Sequence, residues 1–220
     1  MGGRGSGGGG IPFSTPGGGS VNKRLKMDMK PGDPETLAEA LGGKGRMSTK
    51  NAVMGANPFY DSSREEYSYN CQRCVAATEA RFRGYDVIAS PTYEGDTMPA
   101  NGNWMNNFVG AKSSPVTGSN PAALQRSLES QMAGYGDGSR AILRVGWKGT
   151  RGSGHVINVV QKKGKTYYFD GQTGNQYHAK DLFSAVSTRG SNTSYVVRVD
   201  NLPFSESAKA AFRQNPARKK

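Results

Sequence analysis

The chain has 220 residues, a length that suits one or two domains. Hydrophobic residues make up 35% and mean hydropathy is −0.66, which is lean for a chain folded from end to end, and its 31 glycines cluster rather than spread. Two cysteines, Cys71 and Cys74, exclude a disulfide framework, and no apolar run approaches the roughly 20 residues of a membrane span.

The net charge of +12 attracts nucleic acid, anionic membrane surfaces and acidic proteins. The charge is dispersed, with Lys23, Arg24, Lys26 and Lys30 in the front segment and Arg213, Arg218, Lys219 and Lys220 in the tail. Such a spread favours solubility and non-specific attraction, and it leaves nucleic acid as an unfavoured candidate partner. The N-terminus lacks the apolar core of a signal peptide. A soluble chain is expected, cytoplasmic or delivered to a target cell by another route.

Residues 1–20 form a Gly/Ser/Pro tract that reads as a flexible arm. Residues 21–55 read as a basic linker with one short helix over LAEALGG, with Asp33 as N-cap, Pro34 at the first position and Gly42 as its end. A catalytic domain is expected over 56–204, followed by a basic C-terminal helix or tail over 205–220. Its first strong element is a helix from Cys71 to Phe82, closed by Gly84. Val75, Ala76, Ala80 and Phe82 supply its apolar side, and Arg73, Glu79, Arg81 and Arg83 its solvated one.

Tyr85 to Ala89 reads as a short strand, and Trp104 to Val109 as a short helix. Pro121 to Ala133 is a second long helix, with Asn120 as N-cap, Gly134 beyond its end, and Leu124, Leu128 and Met132 on one face. Strands follow over Ala141 to Val145, His155 to Val160 and Lys165 to Asp170, the last two joined by a turn at Lys162 to Lys165. A helix from Ala179 to Val186 leads to a last strand, Tyr195 to Val199. Helices first and an antiparallel meander second make an α+β domain.

A thiol nucleophile needs a base and a positive setting. Asn70 is a favoured N-cap, so Cys71 falls at the positive end of a helix macrodipole. His155 opens a strand behind Gly152-Ser153-Gly154, where small residues allow close approach. Asp170 ends the neighbouring strand, which brings it to the same end of the hairpin, where it can meet the imidazole Nδ1. Gln172 adds a polar group at that edge. Zinc would need His155 and His178 beside the two cysteines, and neither lies at a ligand spacing, so no metal or cofactor is expected. Trp104, Phe108 and Trp147 read as core or groove wall, and His178 as a surface histidine.

The motifs N-C-Q-R-C-V, R-G-Y-D-V, G-H-V-x-N and D-x-Q-T-G, within NCQRCVAATEARFRGYDVIA and WKGTRGSGHVINVVQKKGKTYYFDGQTG, resemble the papain-fold toxin domain. That family is glutamine deamidase-like and occurs in bacterial polymorphic toxins and phage-encoded proteins. The resemblance spans roughly Ala56 to Asp200. It implies a papain-like fold, with the cysteine on an N-terminal helical part and the histidine and aspartate on an antiparallel sheet. Its Cys–His–Asp triad falls on Cys71, His155 and Asp170. The wider pattern puts the nucleophile at the helix start and an apolar residue three positions on. That makes Cys71 the nucleophile and leaves Cys74 as the alternative.

The expected activity is cysteine-dependent amide hydrolysis, first as a protein glutamine deamidase. Backbone N–H groups at the helix start, helped by Asn70 or Gln172, would hold the oxyanion. A cysteine protease or isopeptidase uses the same machinery, and the sequence does not choose the leaving group. The remaining alternative is a non-catalytic phage structural or nucleic-acid-binding protein. Expected partners are a protein substrate and an immunity or virion protein.

Overall fold

The computed structural model describes residues 34–92, 103–149, 153–188 and 194–216. Its helices are α1 (Leu37–Leu41), α2 (Thr49–Met54), α3 (Glu65–Ser68), α4 (Cys71–Phe82), α5 (Pro121–Tyr135) and α6 (Ala179–Ala185), with 3-10 turns at Asn103–Asn107 and Glu206–Ala210. The strands are β1 (Val87–Ala89), β2 (Ser114–Val116), β3 (Arg140–Gly146), β4 (Gly154–Lys162), β5 (Lys165–Asp170), β6 (Asn175–Tyr177), β7 (Ser194–Arg198) and β8 (Phe212–Gln214). Helices with antiparallel sheets agree with the α+β expectation.

Local chemistry sets the central meander. Lys163 and Gly164 both have positive φ, 51° and 71°, the backbone of a two-residue hairpin turn, and Lys162 pairs with Lys165 across it. The six-stranded antiparallel sheet runs β2-β7-β3-β4-β5-β6, so the last long strand returns beside β3 instead of extending the meander. One face carries α5 and α6, with Leu124, Leu128, Met132, Leu182 and Phe183 packed on Leu143, Val145, Ile157, Val159 and Tyr168. On the other face α4 lies against β4, and the Asn158 side chain donates to the Val75 carbonyl at 3.1 Å.

Several expectations change. Helix α1 is capped by Thr36, whose hydroxyl accepts from the Glu39 N–H while Glu39 reaches back to the Thr36 N–H, so Pro34 lies outside it. Asp33 lies outside the described residues. Residues 34–55 hold two helices that bury Ala40, Ala52 and Val53 instead of one loose helix. At the other end β8 pairs with β1, with Phe212 against Ala89 and fully buried. Helix α5 runs on to Tyr135 and ends at Gly136 rather than before Gly134.

The polar side of α4 is not a solvated face. Glu79 is fully buried, bonded to Arg83 at 2.7 Å and to two nitrogens of Arg140 at 2.9 Å. Arg81 is buried as well, donating to Asp86, to the Val87 carbonyl and to the Ala52 and Asn51 carbonyls. Charged side chains reach these positions because each finds partners that replace water. Trp104, Phe108 and Trp147 are buried, and His178 is exposed as read.

Candidate active site

Helix α4 begins at Cys71 directly after Asn70. Asn70 does not cap the helix: its φ and ψ are −96° and 23°, and its side chain makes no capping bond. The amide is used elsewhere. Its Oδ1 accepts from Asn57 Nδ2 at 3.3 Å, Gln172 Nε2 at 3.3 Å and the Cys74 thiol at 3.2 Å. Its Nδ2 donates to Asn57 Oδ1 and to the Ser90 carbonyl, each at 3.2 Å. Asn70 is fully buried, so it holds the helix start in place and has no free donor facing a substrate. Gln172 is buried beside it.

The two cysteines differ sharply. Cys71 is partly exposed and Cys74 is buried at 1% exposure. Burial pushes the Cys74 thiol well above its ordinary range, and the charges of Cys71 and Asp170 push the same way. A thiol sealed in the interior and held protonated is out of reach of a substrate amide.

His155 sits one residue inside β4, opposite Val145 in β3. Gly154 precedes it because any Cβ there would lie 2.2 Å from the Val145 carbonyl oxygen. The ring stacks on Trp147, with centroids 6.2 Å apart and planes at 21°. Its Nε2 lies 3.2 Å from Asp170 Oδ2, although the ring N–H is not well aligned with that oxygen. The nitrogen at the carboxylate is therefore Nε2, not the Nδ1 expected from the strand register. The Cys71 thiol is near enough to the imidazole to favour its charged form. Burial opposes charge on this ring, but the Asp170 carboxylate and Cys71 outweigh it and raise its pKa to about 10.

Asp170 ends β5 at 1% exposure. Burial disfavours its charge, yet His155 and the surrounding donors hold its carboxyl below the usual carboxylate range. The Gln172 N–H donates to Oδ1 at 2.9 Å, and Thr173 Oγ1 and the Tyr177 hydroxyl donate to Oδ2 at 3.0 and 2.7 Å. Gly171 lets this loop approach α4: a Cβ there would sit 2.0 Å from Thr78 Oγ1.

The structure thus gathers Cys71, His155, Asp170, Asn70, Gln172 and Cys74 at one end of the sheet. Sequence reasoning missed Asn57, Thr173, Tyr177 and Trp147 as its supports. The D-G-Q-T-G turn points to Asp170 and Gln172 from the sequence, whereas the bond from Thr173 to Asp170 shows only in the fold. No group of His, Cys, Asp and Glu suited to a metal occurs among the described residues, and no described helix is long and apolar enough to cross a membrane.

A family model described as "Papain fold toxin 1, glutamine deamidase" matches residues 69–175, which run from just before Cys71 to just past Asp170. No curated protein matches, and no solved structure matches.

Proposed function

Residues 69–175 belong to the papain-fold toxin family of glutamine deamidases, and from that premise we propose that this chain hydrolyses the side-chain amide of glutamine in a protein through Cys71, His155 and Asp170. One observation carries the residue assignment. A buried imidazole lies 3.2 Å from a carboxylate and has its charged form favoured by a partly exposed thiol at a helix start, while the second thiol is sealed inside.

His155 takes the Cys71 proton and forms an ion pair with the thiolate, with Asp170 holding the imidazolium. The thiolate attacks the carboxamide carbon. The oxyanion is held by the Cys71 backbone N–H, which as the first residue of α4 has no acceptor within the helix. Asn70 and Gln172 act from behind, fixing the helix start against the Asp170 loop. Ammonia leaves with the proton from His155, and water then releases glutamate from the thioester.

The test is mass spectrometry of candidate target proteins incubated with the wild type and with Cys71→Ala. Deamidation adds about 1 Da per site without backbone cleavage and is absent with the variant. New termini in place of that shift would assign a protease or isopeptidase. A target unchanged by the wild type, together with a Cys71 no more reactive than a peptide thiol, would leave the non-catalytic reading.

A further inference from the structure

Cys74 has no part in the hydrolysis above, yet it lies one helical turn from the nucleophile. We propose that Cys71 and Cys74 form a dithiol site for hydroperoxides, in which Cys71 is oxidised and Cys74 captures it as an intrahelical disulfide. The proposal rests on Cys71 being the reactive thiol, and it needs no amide hydrolysis.

Three observations carry it. Both cysteines are free thiols, one partly exposed and one buried, which separates the residue that meets an oxidant from the one that does not. The first turn of α4 is tight: the Asn70 carbonyl accepts from both the Arg73 N–H at 2.8 Å and the Cys74 N–H at 3.0 Å. An i→i+3 bond of that kind draws a turn towards 3-10 geometry, in which side chains three apart eclipse. Regular helix spacing leaves Cβ atoms at i and i+3 about 5–6 Å apart. A disulfide needs about 3.5–4.5 Å, so a tightened first turn makes up part of the difference. Finally, the Cys74 thiol points back along the helix to Asn70 Oδ1, the direction of the residue it would join.

The chemistry balances with the peroxide as oxidant. The Cys71 thiolate attacks one peroxide oxygen, forming an S–O bond and breaking O–O, and the departing hydroxide leaves as water with the proton that His155 took from Cys71. The Cys74 sulfur then attacks the sulfenic sulfur of Cys71. The S–S bond forms, S–O breaks, and the hydroxide leaves as a second water with the thiol proton. Two electrons pass from the dithiol to the peroxide. Capture stops Cys71 from going on to sulfinic and sulfonic acids, which thiols do not reverse.

The full chain is treated with hydrogen peroxide near neutral pH and split after Arg73, which lies between the two cysteines. The expected product joins the peptide ending at Arg73 to the peptide starting at Cys74, and dithiothreitol separates them. Labelling of Cys71 by iodoacetamide should be lost after peroxide and regained after dithiothreitol. In Cys74→Ala, with peroxide in enough excess that the uncaptured sulfenic acid goes on to sulfinic acid, it should be lost and not regained. Sulfinic or sulfonic acid on Cys71 with Cys74 still free would overturn the proposal, as would equal recovery in wild type and variant. A Cys71 that resists both peroxide and iodoacetamide would overturn the hydrolase reading as well, so the two failures are distinguishable.

Discussion

The two sides of the central sheet are built by different chemistry, and the candidate site lies where they meet. The side under α5 and α6 is a continuous apolar layer of Leu, Val, Ile and aromatic residues. Two of its members, Trp147 and Tyr177, hold the base pair: Trp147 stacks on His155, and Tyr177 donates to Asp170. The α4 side relies on small alanines and on buried polar bonds, from Asn158 to Val75, from Glu79 to two arginines, and from Asn70 to Asn57, Gln172 and Cys74. Cys71 packs with the apolar cluster on that side. Base and nucleophile thus belong to separate layers. A liquid-like shift of either layer would misplace one partner, and the polar bonds give α4 one fixed register.

This division can be broken one layer at a time. The largest effect is expected at the meeting point: Cys71→Ala should reduce deamidation at least ~10³-fold, read as the rate of the mass shift. Its stability in urea should change by less than about 1 kcal/mol, because the side chain is small and partly exposed. In the apolar layer, Phe183→Ala should lower the unfolding free energy by about 3–5 kcal/mol with an unchanged denaturant slope. Glu79→Ala attacks the other layer. It leaves the guanidinium groups of Arg83 and Arg140 without their buried carboxylate and should cost about 3 kcal/mol in the same assay.

Tyr177→Phe is a finer probe. The hydroxyl is the shortest contact to the carboxylate oxygen that faces His155, and its loss should cost about 1.5–3 kcal/mol. Asp170 is held below the ordinary carboxylate range, so its contribution is present above that range and lost as pH falls through its folded value. Removing a donor raises that folded value, and the acid limb of the activity profile should move to higher pH in Tyr177→Phe. A profile of unchanged shape with lower amplitude would make Tyr177 purely structural.

The same pair also sets a pH drift in stability. The pKa of His155 is raised from 6.5 to about 10. Its ion pair therefore contributes fully below about 6.5 and is lost as pH rises through about 10. Urea midpoints of the wild type should fall over that window, relative to His155→Asn, which lacks the titration.

Much of this arrangement was legible in the chain. Cys71 followed an amide residue at the head of an alanine-rich helix, and Lys163-Gly164 fixed a hairpin whose open end had to carry both His155 and Asp170. What local pattern could not reveal was partnership at a distance. Glu79 and Arg81 carry the letters of a solvated helix face, and only the arrival of Arg140, Asp86 and the α2 carbonyls makes their burial tolerable. β8 lay in a basic tail, and its pairing with β1 is invisible to periodicity because three residues are too few to alternate clearly. Asn70 was placed at the helix start for its capping propensity. The structure spends the same amide on Asn57 and Gln172 from elsewhere in the fold and on the Cys74 thiol one turn along the helix.

The central claim is that His155, set by Asp170, activates Cys71. Iodoacetamide labelling of Cys71, followed across pH in the wild type, His155→Asn and Cys74→Ala, tests it most directly. The account predicts labelling near neutral pH faster than that of a free peptide thiol, lost in His155→Asn and retained in Cys74→Ala. Equal rates in the wild type and His155→Asn, or labelling that vanishes with Cys74, would contradict it.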